Sequence, residues 1–134
     1  MKLEAWQRGR DLFVMVFRLS ANVSDLKLKS QFRDAAQSVS ANIAEGYGRR
    51  SLPEYLQFLY TAKGSLAETL TRAIGLQNVK LVSTDDFEDL DKLHYEVENK
   101  LLRLIESLEN KRGTNEWCDS LPPTIHQSIN PRIQ

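Results

Sequence analysis

The sequence predicts an all-α protein, an antiparallel up-down-up-down four-helix bundle. Helix-forming residues dominate positions 1–112, where apolar side chains recur at spacings of three and four and Pro53 is the only proline before residue 122. Four such segments lie at about residues 3–22, 25–45, 52–79 and 85–111. Because the connections between them are short, successive helices are expected to be antiparallel neighbours. The 134 residues are enough for one domain with its own core.

The first segment has a broad apolar face, and the second begins and ends at cap residues. In the first, Trp6, Phe13 and Phe17 lie on one stripe of a helix. This stripe is widened into an apolar face broader than a narrow packing seam by Leu12, Met15, Val16 and Leu19. In the second, Ser24 is a favourable N-cap and Gly46 is placed to end the helix in a left-handed cap.

The third and fourth segments carry clear start signals. Ser51 and Glu54 have the spacing of a capping box, and Pro53 falls in the first turn, where its missing N–H costs nothing. The fourth segment begins near Ser83 and ends at Gly113. Its apolar positions alternate spacings of three and four, as in a coiled-coil seam: Phe87, Leu90, His94, Val97, Leu101, Leu104 and Leu108.

Residues 113–134 differ in composition and form a tail, since they contain three of the four prolines. Apolar residues recur there at every fourth position: Trp117, Leu121, Ile125, Ile129 and Ile133. Two interpretations remain open at this point. The spacing arises by chance in a flexible tail, or it forms a strip that docks on a neighbouring subunit.

Composition restricts the classes of function. With 18 Lys+Arg and 18 Asp+Glu, the net charge is zero, which argues against a strongly basic nucleic-acid binder. The charge is uneven, because residues 1–60 hold nine basic and six acidic side chains and residues 61–112 hold eight and ten. The single Cys118 excludes an internal disulfide. No apolar run approaches ~20 residues, so we expect a cytoplasmic protein with no membrane partner.

No set of residues predicts an enzyme, a cofactor or a metal site. A di-iron bundle needs two Glu-x-x-His motifs, whereas this chain has one imperfect version, Asp91 with His94. The Gly46-Tyr47-Gly48 turn lacks the strand that phosphate-binding glycine loops follow. We therefore interpret His94 as a core histidine that forms a hydrogen bond.

The most informative stretch is the end of the second segment and the turn after it. Asn42 is placed to bond loop amides, and Glu45 is placed to pair with an arginine. Small residues beside them permit close helix packing, so one interpretation is a stretch that fixes the turn. The other is that Tyr47, Arg49 and Arg50 present a ligand or RNA contact, since arginine suits phosphate and tyrosine stacks on bases.

The third segment has two apolar stripes, and Gly64 on the second permits close approach of another helix. One apolar stripe is enough to pack against the bundle, so the second stripe favours self-association with a neighbouring subunit. The alternative is a single wide stripe that faces the core.

Several of these residues together resemble a known family, the four-helix-bundle proteins encoded by intervening sequences in bacterial 23S ribosomal RNA genes. This family also includes the accessory variability determinant of diversity-generating retroelements. The resemblance extends over about residues 3–110, and Asp34 and Ser40 depart from the family pattern. The matching positions are Trp6, Gln31, Arg33, Ala36, Ser38, Asn42-Ile43-Ala44-Glu45-Gly46, Tyr47-Gly48-Arg49, Ser51, Glu54, Tyr55, Gly64-Ser65-Leu66 and Glu68.

The resemblance implies a ring-shaped homo-oligomer, typically a homopentamer. For the retroelement branch it also implies binding to RNA and to a reverse transcriptase through a basic surface. We expect a non-enzymatic oligomeric scaffold, with an RNA-binding accessory protein as the alternative. The candidate contact residues are Arg33, Tyr47, Arg49 and Arg50, and the motif residues with structural roles are Asn42, Glu45, Gly46, Ser51, Glu54, Gly64 and Glu68.

Overall fold

The computed structural model describes residues 3–113 and contains four helices. They are α1 (Glu4–Leu19), α2 (Leu26–Tyr47), α3 (Leu52–Asn78) and α4 (Thr84–Gly113), and residues 3–113 contain no strand. The all-α prediction is therefore confirmed. The expected apolar strip of the tail and Cys118 lie outside the described residues.

One apolar core is shared by all four helices, and α4 contributes to it along almost its whole length. Its buried positions are Leu90, His94, Val97, Leu101, Ile105 and Leu108. The expected seam differs at one place, because Ile105 is buried while Leu104 is only half-buried. A straight helix has 3.6 residues per turn, so a strict seam of period 3.5 drifts off the core face after several turns.

The core-facing side of α1 is the aliphatic part of its predicted apolar face, and not the aromatic part. Leu12 and Val16 are fully buried, whereas 51% of Phe17 is exposed. Phe17 lies instead against α2, where the Arg33 guanidinium carbon sits 3.7 Å from its ring centroid. The aromatic stripe therefore marks the boundary between α1 and α2, and the smaller aliphatic residues fill the core.

Each helix packs against two others, in the order α1, α2, α3, α4 and back to α1. Three contacts fix the register of α2 on α3. Gln31 Oε1 accepts from Arg72 Nη1 at 3.0 Å near the start of α2. The Ser65 hydroxyl donates to the Ser38 hydroxyl at 2.8 Å midway, and Gly46 meets Tyr55 at the end. The end of α2 thus lies against the start of α3.

Helix α2 begins one residue later than expected. The N-cap is Asp25, whose Oδ1 accepts from the Leu28 amide at 3.0 Å, and not Ser24. A carboxylate accepts more strongly than a hydroxyl and also favours the positive end of the helix. None of the helices formed by residues 3–113 is both long enough and apolar enough to cross a bilayer.

Candidate functional site at the turn between α2 and α3

The turn between α2 and α3 is short and is held by backbone hydrogen bonds. The Gly48 amide donates to the Ala44 carbonyl at 3.2 Å, and the Arg49 amide donates to the Gly46 carbonyl at 3.0 Å. Helix α3 then starts at once, because the Ser51 hydroxyl caps it by accepting from the Glu54 amide at 3.2 Å. The side chains around this turn are therefore held on a rigid connection.

Gly46 is a packing glycine and not the left-handed cap that the sequence suggested. It lies inside α2, and no described glycine has a positive φ. A Cβ at this position would be 2.9 Å from Phe58 Cβ, 2.9 Å from Tyr55 Cδ1 and 3.1 Å from the Tyr55 carbonyl oxygen. Glycine is required here because α3 passes too close for any side chain.

Three of the four candidate contact residues lie at this turn. Tyr47 is 57% exposed, and its ring meets Tyr55 edge-on with 6.3 Å between centroids. Arg49 pairs with Glu45 at 2.7 Å, and its guanidinium carbon lies 4.7 Å from the Phe58 ring centroid. The predicted pairing of Glu45 with an arginine is confirmed.

Arg50 is an exposed cation of the turn. Its side chain makes no hydrogen bond or ion pair to any residue between positions 3 and 113. Together with Tyr47, it gives this end of the molecule a basic group and an aromatic ring that are both accessible to a partner.

Two expected contacts near the turn differ in detail. Asn42 does not bond loop amides, because its Nδ2 donates to the Ser38 carbonyl at 2.8 Å and to the Ser38 hydroxyl at 2.9 Å within α2. The Glu54 carboxylate accepts from the Ser51 hydroxyl at 3.3 Å and does not reach the Ser51 amide. Asn42 thus bonds within its own helix, and Glu54 bonds the side chain of Ser51 and not its backbone.

Arg33, the fourth candidate, lies elsewhere and is engaged within the chain. Its Nε donates to the Ser20 hydroxyl at 2.7 Å, its Nη2 donates to the Phe17 carbonyl at 3.0 Å, and its guanidinium lies over the Phe17 ring. It precedes Tyr47, the last residue of α2, by 14 residues, or about 21 Å at 1.5 Å per residue. The candidate cations therefore form no single cluster.

Replacing Arg33 by lysine is expected to lower the free energy of unfolding by about 1–2 kcal/mol. Lysine keeps the charge but loses the planar fork that reaches both Ser20 and Phe17 while stacking on the ring. Urea unfolding would measure the loss, with Arg18→Lys, at an exposed position of α1, as the control. Equal stability of the two variants would contradict this assignment.

The remaining motif residues lie along α3. Glu68 pairs with Arg72 at 3.1 Å, and Arg72 in turn reaches Gln31 of α2. Gly64 is exposed, and a Cβ built on it would meet no atom within 4 Å. Arg72 and Ser65 were missed as contact residues because a sequence shows spacing within a helix but not the partner across the helix pair.

Three titratable side chains, those of His94, Tyr55 and Tyr60, are buried or partly buried between the helices. His94 is buried, and its Nε2 lies 3.1 Å from the Leu66 carbonyl, so the predicted core hydrogen bond is confirmed. Burial and a hydrogen bond to Glu109 raise the pKa of Tyr60 to about 12, and burial raises the pKa of Tyr55. Residues 3–113 include no group of three His, Cys, Asp or Glu side chains placed to hold a metal ion.

Comparison with known protein families decides the affiliation. Residues 1–103 match the model of the family described as 23S rRNA-intervening sequence protein. The chain belongs to this family. The match spans α1, α2, α3 and most of α4, so it includes every candidate residue of the turn and of the packed α2–α3 pair.

A comparison with curated proteins gives no match for this 23S rRNA-intervening sequence protein. The affiliation confirms the resemblance drawn from the Asn42-Ile43-Ala44-Glu45-Gly46 block and the turn that follows it. The structure gives this block a physical basis, because Glu45 forms an ion pair with Arg49 and Gly46 leaves room for α3 to pack closely.

Proposed function

We propose that this protein is a non-enzymatic scaffold, an up-down-up-down four-helix bundle that binds further copies of itself. The supporting observation is the outer side of α3. Gly64 and Gly75 are exposed there three helical turns apart, and a Cβ on either would meet nothing within 4 Å. Glycine inside a helix costs about 1 kcal/mol relative to alanine, and no contact among residues 3–113 requires it here.

Exposed apolar side chains accompany these glycines. Ile74 on α3 and Tyr95 and Leu102 on α4 are all among the large apolar side chains accessible to solvent. A second copy that packs closely over Gly64 would cover them, which gives the two glycines and the apolar surface one common explanation. The assembly proposed is a closed ring in the cytoplasm, with the homopentamer that the family resemblance implies as the expected size.

Sedimentation and light scattering at micromolar concentration test this proposal. An oligomer of defined mass is expected, and a chain that stays monomeric would refute the scaffold function. Gly64→Leu should raise the dissociation constant about tenfold or more while the helical content is kept, because a side chain would hold the second copy away. Ser107→Leu, at an exposed position of α4, is the matched control and should leave assembly unchanged.

The alternative is an RNA-binding accessory protein. It is favoured by Tyr47 and Arg50, which are both exposed at the turn and offer stacking and phosphate contact. A titration with structured RNA should then show an affinity that falls with salt, and Arg50→Ala should reduce the slope by about one. Arg18→Ala is the charge-matched control. Absence of binding at low salt would reject this alternative.

A further inference from the structure

Helices α1 and α2 share an outer surface of aromatic rings held by arginines, which we call the α1/α2 face. It consists of Trp6, Arg10, Phe13, Phe17 and Arg33. The Arg10 guanidinium carbon lies 5.2 Å from the Trp6 ring centroid, and the Phe13 and Phe17 centroids are 6.0 Å apart. Since Arg33 covers Phe17, two guanidinium groups and three rings form one partly exposed surface.

Helices α3 and α4 share a second outer surface, the α3/α4 face, which consists of Ile74, Tyr95 and Leu102 with the acids Asp91 and Glu98. Tyr95 is 65% exposed, and Leu102 lines a groove of about 530 Å³ between the two helices. Asp91 precedes Tyr95 by one turn and Glu98 follows it by one turn. Neither acid forms an ion pair within residues 3–113.

The two faces lie on opposite sides of the molecule, and the helix pairs that carry them differ in net charge. The two helix pairs are joined mainly through the contacts of α2 with α3 and of α1 with α4. Helices α1 and α2 hold six Lys/Arg and four Asp/Glu, whereas α3 and α4 hold seven and eleven. One face is therefore aromatic with a positive bias, and the other combines apolar groups with unpaired acids.

We propose that the α1/α2 face of one copy binds the α3/α4 face of the next copy. This inference rests on the self-association proposed above and specifies its geometry. Arg10 is already oriented by the Trp6 ring and by Asp11, whose Oδ1 lies 3.7 Å from its Nη2. Arg33 is oriented by its hydrogen bonds to Ser20 and Phe17. Both guanidinium groups have N–H donors left over, so they lose little freedom when these donors meet Asp91 and Glu98. Tryptophan, tyrosine and arginine are also the residues that dominate binding energy at protein interfaces.

The interface is heterologous, because two different surfaces meet. A copy that is bound through one face keeps its other face free for a further neighbour, so assembly proceeds head to tail. An isologous dimer, in which one surface meets itself, would place Arg10 and Arg33 against the same arginines of the second copy.

Mixing two variants that are blocked on different faces tests the pairing. Phe17→Glu puts an acid on the α1/α2 face, and Leu102→Glu puts an acid on the α3/α4 face. Both positions are exposed, so folding should be kept, which circular dichroism would check. Each variant alone should lose affinity roughly 30-fold or more, the size expected for a hot-spot residue. Ser107→Glu is the control and should assemble like the native chain.

The mixture of the two variants should form a 1:1 dimer by light scattering, because one intact face of each kind remains to form one interface. Native protein that assembles while the mixture stays monomeric would overturn the face pairing and leave the scaffold function standing. A single variant that still dimerises alone would overturn it as well, since that outcome indicates an isologous contact. A monomeric native chain would refute both proposals.

Discussion

Replacing Gly46 by alanine is expected to lower the free energy of unfolding by about 1–3 kcal/mol. The gain in helix propensity from alanine, about 1 kcal/mol, is smaller than the cost of forcing α3 away. The new methyl group would lie 2.9 Å from Phe58 Cβ and 3.1 Å from the Tyr55 carbonyl oxygen, and neither atom is at the end of a flexible side chain.

Gly48→Ala is the matched control two residues further on. Its Cβ would lie 3.7 Å or more from its neighbours, and its φ of −81° suits any residue. Urea unfolding of both variants should show a loss for Gly46→Ala and little change for Gly48→Ala. Equal stability of the two variants would show that the close approach of α3 is not the reason why position 46 requires glycine.

Replacing Leu59 by alanine is expected to cost about 2–5 kcal/mol. Leu59 is completely buried in the middle of the shared core, so truncation leaves a cavity that surrounding helices fill only in part. Leu26→Ala removes the same atoms from a side chain that is 76% exposed and should change stability by less than about 0.5 kcal/mol.

Thermal unfolding measured by circular dichroism would compare the two leucine variants. A difference of about 3 kcal/mol corresponds to roughly 10 °C in Tm for a domain of this size. Equal midpoints would mean that Leu59 does not pack in a rigid core. Self-association stabilises folded chains, so both variants should be compared at the same protein concentration.

The helices could be predicted from the sequence because periodicity, capping and turn signals are local. The Ser51 cap and the core hydrogen bond of His94 follow from spacing alone, and the structure contains both. The N-cap at Asp25 was missed because two adjacent residues, Ser24 and Asp25, both suit that position.

Contacts between helices were harder to predict, since a sequence does not show which residues meet. The residues next to Gly46 in sequence are the same whether this glycine ends a helix or lets α3 pack closely. Only the position of Tyr55 in the structure shows that Gly46 lets α3 pack closely. Arg33 looked like an accessible cation because its partner atoms, Ser20 Oγ and the Phe17 carbonyl, lie across the α1–α2 pair. Of the four candidate contact residues, the three at the α2–α3 turn therefore lie together, and Arg33 does not.

The register of α2 on α3 has a consequence for how the length of the chain can vary. The pairs Gln31–Arg72, Ser38–Ser65 and Gly46–Tyr55 follow one another at intervals of about two turns along α2 and of two to three turns along α3. One inserted residue in either helix would rotate every later side chain by about 100° and break the pairs beyond it. The helical stretches from Gln31 to Gly46 and from Tyr55 to Arg72 should therefore keep a fixed length, whereas the connections around residues 20–25 and 79–83 can vary in length.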